Sequence, residues 1–89
     1  MERYYCVDFG NNIDGVNTIH KTREGAEKEW LKQLNKFQNK VDSGNQKGYY
    51  GIMYQESLNN KSKPELLKYK FNGNWDTEKW RKRIFNRFA

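Results

Sequence analysis

Cysteine, histidine and proline each occur once in the 89 residues, and each scarcity excludes something. A lone Cys6 permits no intrachain disulfide and no cysteine-built zinc cage. With His20 as the only imidazole, a histidine-rich metal site is excluded too, and neither metal nor cofactor is expected. No apolar run approaches the ~20 residues that cross a bilayer, and the stretch Met1–Asp8 lacks the apolar core of a secretory signal. A cytoplasmic location away from membranes follows as the expectation. Large hydrocarbon side chains are also few. Leu, Ile, Val and Phe number 17, about 19% of the chain, which together with a net charge of +6 borders on the composition of disordered proteins.

Aromatic residues pull the other way. The 3 Trp, 6 Tyr and 5 Phe each bury ~150–250 Å² when packed and supply the core that the aliphatics do not. A chain of this length holds one domain, residues 1–89, and leaves no room for a multidomain enzyme.

Over Arg3–Phe9, Tyr5, Val7 and Phe9 alternate with Tyr4, Cys6 and Asp8, the period of a strand. Gly10-Asn11-Asn12 is a turn, and Ile13–His20 a weaker strand interrupted at Asp14-Gly15. Thr22 is placed as a helix N-cap, ahead of Glu24, Glu27 and Glu29 at the positive end of the helix dipole. Ala26, Trp30, Leu34, Phe37 and Val41 recur at helical spacing, and Asp42-Ser43-Gly44-Asn45 stops the helix. Tyr49–Ser57 reads as a strand with Tyr50, Ile52 and Tyr54 on one face, and Asn59–Pro64 as a loop. Glu65–Phe71 follows as a strand with Leu67, Tyr69 and Phe71 facing in and Lys68 and Lys70 facing out. Asp76 is the expected N-cap of a last helix, with Trp75 and Trp80 placed as a hydrophobic staple and Trp80, Ile84 and Phe88 on its apolar side. The order ββαββα predicts an α+β domain: one antiparallel sheet with both helices packed on one face, over a core of Trp30, Leu34, Phe37, Phe71, Trp80 and Ile84.

Nothing in this pattern builds an active site. A Cys6–His20 nucleophilic pair lacks an orienting third group and an oxyanion donor. The helix dipole explains Glu24, Glu27 and Glu29, and Asp8 with Asp14 are too few ligands for a divalent ion. No phosphate loop, zinc ligand set or nucleophile elbow occurs. A protein without catalytic residues is expected.

Charge is where the sequence becomes informative. Residues 1–45 carry 7 basic and 7 acidic side chains, whereas residues 46–89 carry 10 basic and 4 acidic. The whole excess therefore lies in the second half and points to a polyanionic or acidic partner. On a helical wheel Trp80, Ile84 and Phe88 fall within about 80°, while Lys79, Lys82, Arg83, Asn86 and Arg87 form a stripe of about 140° on the other side. One face docks and the other presents cations to phosphates. The leading expectation is a protein that binds DNA or RNA, with Lys79, Lys82, Arg83 and Arg87 on phosphates, Lys68 and Lys70 extending the track, and Tyr49 stacking on a base from an open sheet face. Six phosphate contacts would give a log–log salt slope of about −5.

The stretch Lys47-Gly48-Tyr49-Tyr50-Gly51-Ile52-Met53-Tyr54 matches part of the signature of the RNA-recognition motif. Tyr50 and Gly51 do not fit it, and that family runs βαββαβ rather than ββαββα. The competing reading is a protein that binds a protein. Trp75, Trp80, Tyr49, Tyr50, Arg83 and Arg87 are the residue types that dominate interface energetics. In size and style alone the chain resembles small phage or mobile-element inhibitors, anti-CRISPR proteins among them, which dock on a host protein or ribonucleoprotein through an acidic surface of the target.

Overall fold

The computed structural model describes residues 3–11, 13–57 and 63–88; most of the loop expected at Asn59–Pro64 lies outside them. The elements are β1 (Arg3–Gly10), β2 (Gly15–His20), α1 (Arg23–Asp42), β3 (Gly48–Ser57), β4 (Glu65–Gly73) and α2 (Glu78–Phe85). The strands form one antiparallel sheet in the order β2-β1-β3-β4. The α+β class and the order ββαββα are those the patterning predicts.

The placement of the helices is not. Instead of sharing one face, α1 and α2 cover opposite faces of the sheet. Val7, Phe9, Tyr49 and Met53 pack with Ala26, Trp30 and Phe37 on the α1 side. Their strand neighbours Cys6, Ile52 and Tyr54 pack with Phe71, Trp75 and Ile84 on the α2 side. Successive strand residues point to opposite faces, and here both members of each pair are apolar: Cys6 and Val7 are 3% and 0% exposed, Ile52 and Met53 both 0%. A central strand apolar on both sides needs a cover on both sides.

Two reciprocal contacts fix the central pair. Phe9 of β1 stands opposite Gly51 of β3, and Gly10 of β1 opposite Tyr50 of β3. On the α1 face the Phe9 ring lies so close over Gly51 that a Cβ there would sit 2.6 Å from Phe9 Cζ. On the α2 face a Cβ at Gly10 would sit 2.8 Å from Tyr50 Cε1. Each ring covers the glycine across from it and then reaches a helix-side aromatic: Phe9 lies 4.9 Å from Trp30, and Tyr50 4.8 Å from Trp75, ring centre to ring centre.

Local signals set the helix ends. Thr22 caps α1, its hydroxyl accepting from the Gly25 N–H at 3.1 Å. The chain leaves α1 through Gly44 at φ +78°, a left-handed conformation that glycine adopts freely. The cap of α2 is Thr77 rather than the expected Asp76; its hydroxyl accepts from the Trp80 N–H at 3.4 Å, and Asp76 pairs with Arg81 instead. Trp75 and Trp80 nevertheless meet, 4.4 Å apart, so the staple forms one residue out of the expected frame.

Gly51→Ala should cost ~1–3 kcal/mol because the Phe9 ring cannot yield without moving Trp30 and Phe37. Gly15→Ala, where the nearest atom to a new Cβ is 3.8 Å away, should change stability by less than ~0.5 kcal/mol. Urea melts of the two variants check this, and equal effects would refute it.

Candidate nucleic-acid interface

α2 is a two-turn helix whose one fully buried side chain is Ile84. Trp80 and Phe85 are half-buried beside it, and Phe88 follows in the terminal turn. Aromatic rings form the connection to the sheet: Phe85 meets Tyr69 and Phe71 edge-on at 5.1 and 5.8 Å, and Phe88 lies 5.4 Å from Tyr54. The opposite side of the helix is cationic. Lys79, Arg81, Lys82, Arg83 and Arg87 are all exposed.

Their partners differ. Arg81 is engaged by Asp76 and lies over the Phe71 ring. Lys82 pairs with Glu78 at 3.2 Å, but both side chains are more than 70% exposed, and such an i,i+4 surface pair is worth only ~0.3–0.5 kcal/mol. Arg83 lies 5.3 Å over the Trp80 ring with no carboxylate partner among the described residues. Lys79 has no partner among them. Arg87 sits over the Tyr54 and Phe88 rings and 3.8 Å from Asp8, a β1 residue whose side chain is only 14% exposed. Tyr50 donates to the same carboxylate at 3.4 Å. Burial pushes the Asp8 carboxyl above its ordinary range, against the pull of Arg87 and the hydrogen bond from Tyr50.

The six cations expected to form one track do not lie together. Lys79, Lys82, Arg83 and Arg87 share the α2 side, whereas Lys68 and Lys70 project from β4 to the α1 side of the sheet. Lys68 pairs there with Glu27 of α1 at 3.4 Å, and Lys70 stands opposite Gly51, over which Phe9 lies. The division follows from the helices occupying opposite faces: strand alternation that sends Tyr69 and Phe71 to α2 sends Lys68 and Lys70 the other way. Tyr49 is not available for base stacking. It is 0% exposed in the α1-side core, and its hydroxyl donates to Gln38 at 2.7 Å. The open sheet face on which stacking was expected is the one α1 covers.

Other expected chemistry is kept apart as well. Cys6 stands opposite Ile19 while His20 stands opposite Tyr5, so the thiol and the imidazole lie on different faces. Asp14 pairs with Lys40 of α1, away from Asp8. Among the described residues no group of three or more His, Cys, Asp or Glu could hold a metal ion, and no helix is long and apolar enough to cross a membrane.

Two surface cavities border this region. One, of about 240 Å³, is lined by Tyr50, Trp75, Trp80, Arg83, Ile84 and Arg87. The other, of about 280 Å³, shares Trp75 and is lined as well by Ile13 and Gly48 and by Asn11, Gln46 and Asn74. The first escapes sequence reasoning because its walls come from β3, the turn before α2 and α2 itself. The nearest signal in the sequence is Asp8, a carboxylate between Val7 and Phe9 that pairs with Arg87 of the cavity rim. No family model, curated protein or solved structure matches the chain.

A carboxyl whose pKa is raised by folding binds its proton more tightly in the folded state. It therefore subtracts from stability at neutral pH, and the penalty fades as pH falls through the raised value. Asp8→Asn should stabilise the fold at neutral pH, with the gap to the parent closing on acidification. Urea melts across a pH series check the sign; a parent more stable than the variant at neutral pH would show that the Arg87 and Tyr50 contacts outweigh desolvation.

Proposed function

We propose that the protein is a non-enzymatic nucleic-acid-binding protein whose contact surface is the outer side of α2 and the turn that follows it. The observation that carries this reading is the exposure of Lys79, Lys82, Arg83 and Arg87 along one side of a helix docked through its rings. Arginine forks and lysine point charges at helical spacing meet successive phosphates of a DNA or RNA backbone. The ring contacts restrain Arg83 and Arg87, which lowers the conformational entropy lost when a phosphate is held. Lys82 is released from Glu78 at little cost. The concentration of excess positive charge in residues 46–89 adds long-range attraction.

One observation favours the alternative, docking on an acidic protein surface. Tyr69 and Ile19 lie on the α2 side of the sheet and are 55% and 68% exposed, and a polar rim around apolar and aromatic residues is typical of protein interfaces. The two readings differ in salt dependence. Four phosphate contacts predict a log–log slope between about −3 and −4, hence binding weaker by about a hundredfold from 50 to 200 mM salt. Fluorescence anisotropy with labelled DNA and RNA measures the slope. Joint replacement of Lys79, Lys82, Arg83 and Arg87 by Gln should abolish binding in a folded protein, whereas Lys68→Gln with Lys70→Gln should leave it within about twofold. Retained binding in the fourfold variant would refute the assignment. A partner protein lost on Tyr69→Ala, with a shallow salt slope, would favour the alternative.

A further inference from the structure

The 240 Å³ cavity beside α2 combines two chemistries that a phosphate-tracking surface alone does not need. Its wall is a row of rings, Tyr50 to Trp75 at 4.8 Å and Trp75 to Trp80 at 4.4 Å, and Ile84 of α2 completes the apolar lining. Its rim carries two guanidiniums, Arg83 and Arg87, one helical turn apart. Both are oriented by the rings beneath them, Arg83 by Trp80 and Arg87 by Tyr54 and Phe88, and Asp8 tethers Arg87 from the sheet. An occupant must therefore offer a flat apolar face and an anion within a few ångströms of each other. The volume falls below the ~300–1,000 Å³ of pockets for drug-sized ligands, so it admits one ring system rather than several.

We propose that this cavity takes a single unpaired nucleotide of a bound strand, its base against the Trp75–Trp80 wall and its phosphate between the forks of Arg83 and Arg87. The proposal rests on the nucleic-acid reading and adds a class to it: the ligand is single-stranded, because a base inside a duplex offers only its edges. Lys79 and Lys82 on the same helix serve the neighbouring phosphates. They favour a nucleic-acid strand over an isolated aromatic anion such as a phosphorylated tyrosine. Half-buried Trp80, backed by the buried Trp75, then acts as the stacking platform that Tyr49, buried on the other side of the sheet, does not provide.

The test compares three labelled ligands of equal length at 50 mM salt: a base-containing single strand, an abasic strand matched to it in phosphates, and a duplex, which carries twice the charge. The base-containing strand should bind about tenfold more tightly than the abasic one and quench tryptophan fluorescence, whereas the duplex, like the abasic strand, should leave that fluorescence unquenched. Arg83→Met keeps a side chain over Trp80 while removing the fork; it should weaken the abasic strand by the loss of one phosphate contact and the base-containing strand severalfold more, so that the preference for bases narrows. Trp80→Leu should erase the preference for bases if it folds, and Arg83→Met decides the matter if it does not. Equal binding of base-containing and abasic strands would overturn the pocket while leaving the phosphate-binding reading intact. Absence of binding to all three ligands would overturn both. Displacement of the strand by phenyl phosphate more readily than by adenosine monophosphate would assign the cavity to a phosphorylated aromatic side chain instead.

Discussion

The pairing of β1 with β3 depends on two rings lying over two glycines. Phe9 covers Gly51 on one face and Tyr50 covers Gly10 on the other, at adjacent register positions. Neither ring can occupy its place if its partner carries a side chain, and each ring joins the sheet to an aromatic on its own helix's side. Through Phe9 the α1 side acquires Trp30 and Phe37; through Tyr50 the α2 side acquires Trp75. A chain so poor in aliphatics builds two thin cores from aromatic area instead, each one ring deep against a shared sheet.

That sandwich of helix, sheet and helix governs where the charge of the chain is displayed. The sheet is a barrier between the cations of α2 and the lysines of β4, so the basic half of the sequence does not become a basic half of the molecule. What it becomes is one short helix, cationic outside and aromatic inside, with several guanidiniums resting on rings that also hold the helix down. The groups that dock α2 and the groups that orient its charges are therefore largely the same side chains. Asp8 adds the one polar anchor from the sheet, held beneath Arg87 and Tyr50 at some cost in desolvation.

Much of this was legible in the sequence, for local reasons. Element order, the Thr22 cap, the stop at Gly44 and the apolar stripe of α1 are written in neighbouring residues, and the exposed cations of α2 follow from its wheel. What misled was the assumption that alternation marks one buried face. Tyr4-Tyr5-Cys6-Val7 and Tyr49-Tyr50-Gly51-Ile52-Met53-Tyr54 contain no polar alternate, the mark of strands covered on both sides. Reading them as one-faced left Tyr49 exposed and joined Lys68 and Lys70 to α2. The cavity was beyond sequence reasoning, since the contact of Tyr50, Trp75 and Arg87 is made only by the sheet and the turn before α2.

Lys68 and Lys70 take on a different meaning from their position. β4 is the outer strand of the sheet, and its pairing with β3 shifts register between Met53 and Tyr54. A strand at the margin leaves backbone groups free to pair with another chain, and charged lysines together with an irregular ladder are the usual means of discouraging it. The opposite margin, β2, is only 6 residues long, and shortness limits what it can template. The lysines that lie away from the α2 surface thus guard a margin of a small, aromatic-rich sheet, and the positive charge of this chain divides between a helix face and a sheet edge.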